Sequence, residues 1–161
     1  SKSKMGALNE YVRMLPNAVR SIDPLMSSVL IGEDEDLEEE ERMFLSNFNK
    51  VFINAKILNE EGDEWAFTEG CLSIPDIRED VFRQSKITIE YLDENFEKHT
   101  DTINGLAARV IQHEYDHIEG ILFTDHLSML KKKLVGKKLQ NIMEGKAKPD
   151  YRMKIANLKI K

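Results

Sequence analysis

The most regular alternation of apolar and polar positions lies in residues 86–92. Ile87, Ile89 and Tyr91 occupy every second position there, and the positions between them are polar. A period of two is typical of a strand with one buried face, because successive side chains of a strand point to opposite sides. The pattern therefore predicts a half-buried antiparallel strand.

Shorter apolar runs predict two more strands ahead of this one. The first is expected over residues 51–58, with an interruption at Asn54. The polar cluster at residues 59–63 contains Asn, Gly and Asp and predicts a turn. The second strand is then expected to run from residue 64 toward Cys71.

One further segment extends this antiparallel arrangement. Residues 93–95 are Asp-Glu-Asn and predict a hairpin turn that leads into a strand over residues 96–100. The first third of the chain shows no clear periodicity.

The pattern changes to a helical one after residue 104. A helix is predicted from about Leu106 to Glu119. Asn104 is the candidate N-cap, and Gly120 suits the left-handed position that follows a helix C-terminus. The sequence thus predicts both ends of this helix as well as its length.

A second helix is predicted from about Ser128 to Glu144, with Gly145 ending it. Its lysines are expected to face water while an apolar stripe packs on the sheet. The residues assigned to that stripe are Leu127, Leu130, Leu134 and Ile142.

Strands in the middle of the chain and helices after them predict an α+β fold. We expect antiparallel strands packed around the first helix, with the second as a C-terminal amphipathic helix. The length of 161 residues suits a single domain over residues 1–161. Residues 1–49 are its uncertain or incomplete part, and residues 145–161 are a basic C-terminal extension.

Charge is distributed unevenly along the chain. Residues 128–161 contain eleven Lys and Arg against Glu144 and Asp150, a balance of +9, so with a net charge of −6 residues 1–127 carry −15. The acidic block at residues 33–41 is typical of a solvated surface. The basic end would attract an anionic partner such as RNA, or it is a plain solvated surface. No specific nucleic-acid site is predicted.

Cysteine content and hydropathy bear on the compartment. The single cysteine excludes an intrachain disulfide and suits a reducing cytosol. No apolar run approaches the roughly 18 residues of a membrane span, and the first residues lack the apolar stretch of a secretory signal. We therefore expect no membrane partner.

Candidate chemistry begins with two histidines, His113 and His117, at positions i and i+4 of the predicted first helix. Residues at this spacing lie one turn apart on the same face and can bind one ion, with Glu114 beside it as a catalytic acid/base. A hydrogen-bonded structural role is the alternative for each histidine. His99 and His126 lie outside the pattern and are assigned to surface or packing roles.

The face that carries these residues also carries apolar ones. It comprises Leu106, Val110, His113, Glu114 and His117. Apolar members indicate that this face is turned into the core, where two imidazoles and a carboxylate cost several kcal/mol unless they are compensated. A divalent cation compensates all three, which is the main physical argument for a metal.

Catalytic metal sites commonly use three protein ligands and leave one position open. Cys71 is the best third candidate, because it lies where a predicted strand meets Gly70 and because Pro75 is expected to end the local pairing. A buried hydrophobic role is the alternative for an isolated cysteine. Together with the two histidines, the ligand role is favoured.

These two segments resemble known signature motifs. Residues 69–73, Glu-Gly-Cys-Leu-Ser, and residues 112–117, Gln-His-Glu-Tyr-Asp-His, are similar to the second and third motifs of peptide deformylases. The resemblance extends from about residue 50 to residue 153, and it implies that residues 19–25 correspond to a further strand of the family. Members of that family remove the formyl group from N-formylmethionine of nascent bacterial or organellar proteins.

The resemblance implies a role for each motif residue. Cys71, His113 and His117 are expected to hold the metal, which lowers the pKa of its bound water. Glu114 is expected to accept the water proton and pass it to the leaving amine. The backbone N–H of Leu72 is expected to stabilise the oxyanion.

The resemblance also implies substrate-binding residues and partners. Arg78 is expected to help hold the peptide, Glu69 and Gly70 to contact the substrate, and Leu106 and Val110 to lie near the methionine pocket. The expected ligand is a formyl-methionyl nascent peptide, with the ribosome as a possible further partner of the basic end. The expected location is the bacterial cytoplasm or an organellar matrix.

The resemblance implies one divalent ion, Fe²⁺ in the cell, for which Ni²⁺, Co²⁺ or Zn²⁺ substitutes. Gln112 and Asp116 are expected to support the ligands from behind. A structural zinc site is disfavoured, because such sites usually close the fourth position with another Cys or His. An HExxH peptidase of another kind would need a third ligand other than Cys71.

The sequence departs from the family at one place. The glycine-rich first motif that ends in Ala-Ala-Pro-Gln is not found, and the similar string at residues 105–109 belongs to the predicted first helix. The glutamine would supply a second oxyanion donor, and loss of one such donor typically costs about 10²–10³ in rate. A catalytically impaired homologue that keeps the metal and binds N-terminal peptides is therefore the alternative function.

Overall fold

The computed structural model describes residues 20–22 and 50–147. They form an α+β arrangement of one antiparallel sheet and two helices, which confirms the predicted class. The elements are β1 (Arg20–Ile22), β2 (Lys50–Cys71), β3 (Ile74–Leu92), β4 (Lys98–Asn104), α1 (Gly105–Glu119), a short 3₁₀ helix (Phe123–His126) and α2 (Met129–Met143).

The sheet has the order β1-β2-β3-β4, so each strand pairs with its neighbours along the chain. β1 pairs with the first residues of β2, and the segment expected to be a strand near residues 19–25 is thus one over Arg20–Ile22. The hairpin predicted at residues 93–95 is confirmed, since the Phe96 N–H donates to the Asp93 carbonyl at 3.0 Å. β4 begins two residues later than predicted and continues to Asn104.

The turn predicted at residues 59–63 is wrong. β2 continues through this region as one strand of 22 residues that pairs with β3. The turn-forming residues are absorbed by irregular pairing: the register shifts between Glu61 and Glu64, and Gly62 adopts a φ of 93°. A Cβ at Gly62 would collide with Ser85 Oγ, so only glycine fits there without a shift.

β3 is also longer than predicted, because the alternation over residues 86–92 marks only its second half. Its first half pairs with the end of β2, and the two strands form a long hairpin. Cys71 pairs with Ile74, whereas Gly70 pairs with Arg78, so the residues between Ile74 and Arg78 bulge out of the ladder. Pro75 lies in this bulge, where its missing N–H costs no ladder hydrogen bond.

Two clusters of buried side chains form the core. The first joins β3 and β4 to α1; among its members are Ile87, Ile89, Ile103, Leu106, Val110 and Ile111. The second joins the first half of β3 to the 3₁₀ helix region and α2; among its members are Ile74, Ile77, Val81, Phe123, Leu127 and Val135. The His113 ring, on α1, stacks on Phe123 with centroids 6.1 Å apart and so connects the helix to the second cluster.

The bounds predicted for α1 are confirmed to within one residue. Gly120 adopts φ 71° and ψ 30°, the left-handed conformation expected after the helix, and its N–H bonds back to the last turn. Asn104 occupies the N-cap position, but its side chain makes no capping hydrogen bond.

The apolar stripe predicted for α2 is wrong in two of its four members. Leu130 and Leu134 are each 69% exposed, whereas Val135 is buried. Val135, Leu139 and Ile142 pack on the second cluster, and their spacing of four and three residues forms a stripe rotated by about one position. The two exposed leucines are as apolar as the residues that pack, so the sequence alone does not show which side of α2 is buried. Packing against the second cluster determines it.

Two predictions fall outside the described residues: the acidic block at residues 33–41, and the part of the basic C-terminal extension that follows residue 147. The single-domain assignment stays a prediction for the same reason. In the described ranges, 20–22 and 50–147, no helix is long and apolar enough to cross a membrane.

Candidate metal centre

α1 presents His113 and His117 one turn apart, as the sequence predicts. Their rings meet edge to face with centroids 4.9 Å apart. Cys71 arrives from a different element, at the end of β2 where the long hairpin turns. Its Sγ lies 3.4 Å from His117 Nε2, and the candidate ligand atoms of all three residues lie within 4.8 Å of one another.

This spacing fits one divalent ion. In a tetrahedral site with metal–sulfur bonds of about 2.3 Å and metal–nitrogen bonds of about 2.0–2.1 Å, a thiolate and an imidazole nitrogen lie about 3.5 Å apart. The observed 3.4 Å between Cys71 Sγ and His117 Nε2 agrees with that. Three ligands leave a fourth position for water or substrate, as in catalytic rather than structural sites.

His113 is held in the tautomer that an ion requires. Its Nδ1 lies 3.0 Å from Glu69 Oε2, and since the ionised carboxylate only accepts, Nδ1 must carry the proton. Nε2 is then left to face Cys71 and His117. A metal-binding histidine usually has such a hydrogen-bonded partner behind it, which fixes the ring.

Glu69 belongs to a buried chain of charges beneath the site. Arg83 binds it through two hydrogen bonds, Nε to Oε1 at 2.7 Å and Nη2 to Oε2 at 3.0 Å. Arg109 donates to the same Oε1 at 2.8 Å. Arg83 also reaches Asp116 at 2.8 Å, and His126 lies 2.7 Å from the same Asp116 oxygen. Two carboxylates and two guanidinium groups therefore balance one another behind the ligands.

The local environment lowers the pKa of Glu69 and Cys71 and raises that of His113. Burial raises the pKa of the Glu69 carboxyl, but hydrogen bonds from His113 and Arg83 outweigh it and bring the pKa to about 2. Burial also raises the pKa of the Cys71 thiol, and hydrogen bonds from His113 and His117 outweigh it, so that the pKa is about 6. The thiolate, the form that binds metals, is favoured at neutral pH. Burial lowers the pKa of the His113 imidazole, but hydrogen bonds to Cys71 and Glu69 outweigh it and raise the pKa to about 9, so an ion would displace a proton from His113.

Glu114 follows the first histidine and lines a small open hollow beside α1, of about 20 Å³, which is room for about one water molecule. Its Oε1 is buried and makes no hydrogen bond within the part of the chain that the structure describes. A buried carboxylate oxygen without a partner is costly, and it indicates that another group, such as a water molecule, completes the site. The other residues of the hollow are apolar side chains and one tyrosine: Phe52, Ala55, Ile89, Ile111, Tyr115 and Ile118.

A sequence model of polypeptide deformylases matches residues 22–133, more than half of the chain. The chain belongs to the polypeptide deformylase family. The peptide deformylase of Flavobacterium psychrophilum is 65% identical over 124 residues, 77% of this chain and 64% of that protein. The peptide deformylase of Christiangramia forsetii is 60% identical over 145 residues, 90% of this chain and 72% of that protein. The chain thus spans about two thirds of the length of these relatives.

Solved structures of deformylases are similar to this one as well. A peptide deformylase of Plasmodium falciparum in complex with an inhibitor gives a TM-score of 0.56 at 38% identity, over 59% of this chain and 62% of that chain. A peptide deformylase of Synechococcus elongatus in complex with actinonin gives 0.54 at 39% identity, over 61% of this chain and 54% of that chain. These likenesses agree with the predicted family resemblance.

Two residues of the expected deformylase site, Leu72 and Arg78, are exposed at the end of the hairpin. Leu72 is exposed in the turn next to Cys71, and Arg78 is exposed opposite Gly70. A Cβ at Gly70 would come 3.3 Å from Arg78 Cγ, so the glycine lets the arginine side chain cross closely over the strand. Leu72 and Arg78 thus lie at the surface close to Cys71 in the hairpin, whereas Gly70 is buried beneath the arginine.

Three other residues expected to bind the deformylase substrate are buried. The Glu69 side chain is 1% exposed, and both its oxygens are taken by Arg83, Arg109 and His113. We therefore assign it to holding His113 and not to contacting substrate. Leu106 and Val110 are each 2% exposed and lie in the first core cluster.

A second group of candidate donors lies at the tip of the β3–β4 hairpin. Asp93, Glu97 and His99 have ligand atoms within 4.8 Å of one another. Asp93 already accepts from the backbone N–H groups of Asn95 and Glu97 and contacts His99 Nε2 at 2.8 Å. These contacts serve the hairpin loop, in agreement with the surface role predicted for His99.

Sequence reasoning missed Arg83 and Arg109. Arg83 occupies an inward position of β3, in step with Val81 and Ile87, both buried. Arg109 lies inside the apolar run Leu-Ala-Ala-Arg-Val-Ile and is 2% exposed. A charged residue at a core position of either pattern is itself a signal of a buried partner.

Proposed function

We propose that this chain is a metal-dependent peptide deformylase, which hydrolyses the formamide of N-formylmethionine at the start of nascent polypeptides. The observation that carries the proposal is the meeting of Cys71, His113 and His117 around one position in a chain of the deformylase family. Glu114 lies next to His113 with a buried oxygen that lacks a partner among the described residues. The products are formate and the free α-amine.

Cys71, His113 and His117 hold the metal ion in this proposal. The bound ion supplies a Lewis acid and makes water acidic enough to react near neutral pH. One thiolate and two imidazoles accept several first-row metals, so the donor set alone does not select one. We propose Fe²⁺ in the cell, with Ni²⁺, Co²⁺ or Zn²⁺ as substitutes.

Glu114 is the proton carrier of the reaction. Its carboxylate accepts a proton from the attacking water and passes it to the nitrogen of the C–N bond that breaks. The apolar lining of the hollow beside it limits competing hydrogen bonds. Leu72, in the turn after Cys71, donates its backbone N–H to the oxygen of the tetrahedral intermediate.

The substrate approaches along the outer side of the hairpin. Arg78 is exposed opposite Gly70 and is the cation nearest in sequence to Cys71, which suits a contact with peptide carbonyls. Leu106 and Val110 support the methionine pocket from within the core, since both are buried on α1 before His113. In this proposal α1 is the centre around which the strands pack. The reaction takes place in a bacterial cytoplasm or an organellar matrix.

The alternative function, an impaired homologue that keeps the metal, rests on the glycine-rich first motif not being found in residues 1–161. Relatives at 60–65% identity are peptide deformylases, which does not favour that alternative. The two functions make different predictions for one assay.

That assay measures formate release from a short formyl-methionyl peptide by protein loaded anaerobically with Fe²⁺ or Ni²⁺. We expect turnover that needs the metal, and no cleavage of the same peptide carrying an acetyl group, which is the matched substrate control. Absence of turnover by protein that holds one ion per chain would contradict the proposed activity and favour the impaired homologue.

The basic C-terminal extension, residues 145–161, is proposed to dock on the ribosome. The balance of +9 over residues 128–161 supports this, since ribosomal RNA is anionic. Removing the residues after Gly145 takes away Lys146, Lys148, Arg152, Lys154, Lys159 and Lys161. We expect the truncated protein to lose co-sedimentation with ribosomes at low salt while it keeps its deformylation rate. Unchanged co-sedimentation would end the proposal.

A further inference from the structure

Arg109 is buried at a place where an apolar residue would be the ordinary choice. It is 2% exposed, and its neighbours Ala108 and Val110 belong to the first core cluster. A guanidinium group is costly to bury unless its charge is paired and its N–H groups are bonded. The contacts that offset the cost of burying the Arg109 guanidinium group therefore indicate its role in the protein.

Those contacts join three elements at one point. From α1, Arg109 Nη1 donates to Glu69 Oε1 on β2 at 2.8 Å and to the Val81 carbonyl on β3 at 3.1 Å. Nη2 donates to the Trp65 carbonyl at 2.6 Å. The guanidinium carbon also lies 4.3 Å from the centroid of the Trp65 ring and 5.5 Å from that of Phe67. The head group is thus fixed by the hydrogen bonds of Nη1 and Nη2 and by the stack, whereas Nε is buried without a hydrogen-bond partner among the described residues.

Glu69 needs this second cation because the first one is shared. Arg83 donates both to Glu69 and to Asp116, so a single guanidinium serves two buried carboxylates. Arg109 supplies a second positive charge at Glu69 Oε1, while His113 contacts Oε2. Arg83 contacts both oxygens, so Arg109 and His113 are the partners that distinguish them.

We propose that Arg109 is a positioning residue of the metal site, which fixes the Glu69 carboxylate so that the His113 ring presents Nε2 to the ion. Arg109 lies one helical turn before His113 on α1, so both groups approach Glu69 from the same helix. The inference rests on the proposed metal site. It concerns metal binding and does not depend on turnover.

The test compares Arg109→Met and Arg109→Lys with the unchanged full-length chain. The zinc dissociation constant is measured by competition with a chelating dye, and the visible spectrum is recorded with Co²⁺ bound. We expect Arg109→Met to bind zinc about 10- to 100-fold more weakly, the usual effect of losing a group that orients a ligand. The cobalt bands should shift, because the His113 ring is no longer held.

Arg109→Lys decides the matter if Arg109→Met does not fold. A lysine keeps the charge, but it cannot bridge Glu69, Val81 and Trp65 at once or stack as a plane. We expect its zinc affinity to be reduced less than that of Arg109→Met, with a shifted cobalt spectrum. Wild-type affinity and spectrum in either folded variant would overturn the proposal.

Ile103→Ala separates positioning from packing. Ile103 is buried in the first core cluster on β4, and its apolar side chain can form no hydrogen bond or ion pair with Glu69, Arg83 or Arg109. We expect it to lower the melting temperature of the metal-free protein without changing the zinc affinity. A wild-type chain that binds zinc but does not deformylate would contradict the proposed function alone, whereas one that binds no zinc would overturn both.

Discussion

Replacing Glu114 with glutamine is expected to lower kcat by about 10²–10⁴, the range typical of general acid–base groups, while one metal ion per chain is retained. Glutamine keeps the size of the side chain but cannot accept the water proton. Cys71, His113 and His117 are untouched, so the ligand set stays complete. The measurement is formate release at saturating formyl-methionyl peptide, together with metal content after dialysis.

Glu119→Gln is the matched control for this variant. Glu119 is the last residue of the same helix, two positions after His117, and its side chain is exposed. We expect wild-type kcat and metal content for it. A Glu114→Gln protein with normal kcat would show that the proton carrier is another group.

Replacing His117 with alanine is expected to remove both the metal and the activity. Cys71 and His113 would remain, and two ligands do not retain a divalent ion through dialysis against a chelator. His117 is only partly buried, so its loss leaves less of a cavity than the loss of a core residue would. We expect kcat to fall at least as far as in Glu114→Gln, with metal content measured by atomic absorption.

His99→Ala is the control that distinguishes the two donor groups of the described residues. His99 belongs to the group at the hairpin tip with Asp93 and Glu97. We expect this variant to keep its metal and its rate. The reverse result, with metal lost from His99→Ala and kept by His117→Ala, would place the ion at the hairpin tip and refute the assignment.

Features set by neighbouring residues could be predicted from the sequence. The bounds of α1 follow from its periodicity and from Gly120, and the hairpin tip follows from Asp93 and its neighbours. The closeness of His113 and His117 follows from helical geometry alone. Each of these depends on interactions across only a few positions.

Features set by distant pairing could not be predicted in the same way. Residues 59–63 have turn-forming composition, and only their pairing with β3 makes them a continuous, bulged strand. On α2, Leu134 and Val135 are equally apolar, and the second core cluster decides which one is buried. Tertiary contacts override local preference at both places.

The candidate site also combines features set by neighbouring residues with features set by distant pairing. Cys71 lies 46 residues from His117 in the sequence, so helical spacing could not predict its approach to 3.4 Å. It is predicted as the third ligand because it is the single cysteine and lies beside a glycine at the end of a predicted strand, and the family resemblance implies the same. Glu69, Arg83 and Arg109 come from three elements, and their ion pairs span 14 to 40 residues. No local pattern pairs these charges, although each stands at a core position.

X-ray absorption of the zinc-loaded protein tests the central claim most directly, because it counts the atoms bound to the ion. The structure predicts one sulfur neighbour at about 2.3 Å and two imidazole nitrogens at about 2.0–2.1 Å, with the sulfur contribution lost in Cys71→Ser. A spectrum without a sulfur neighbour in the unchanged chain would contradict the assignment of Cys71, His113 and His117 as the metal site.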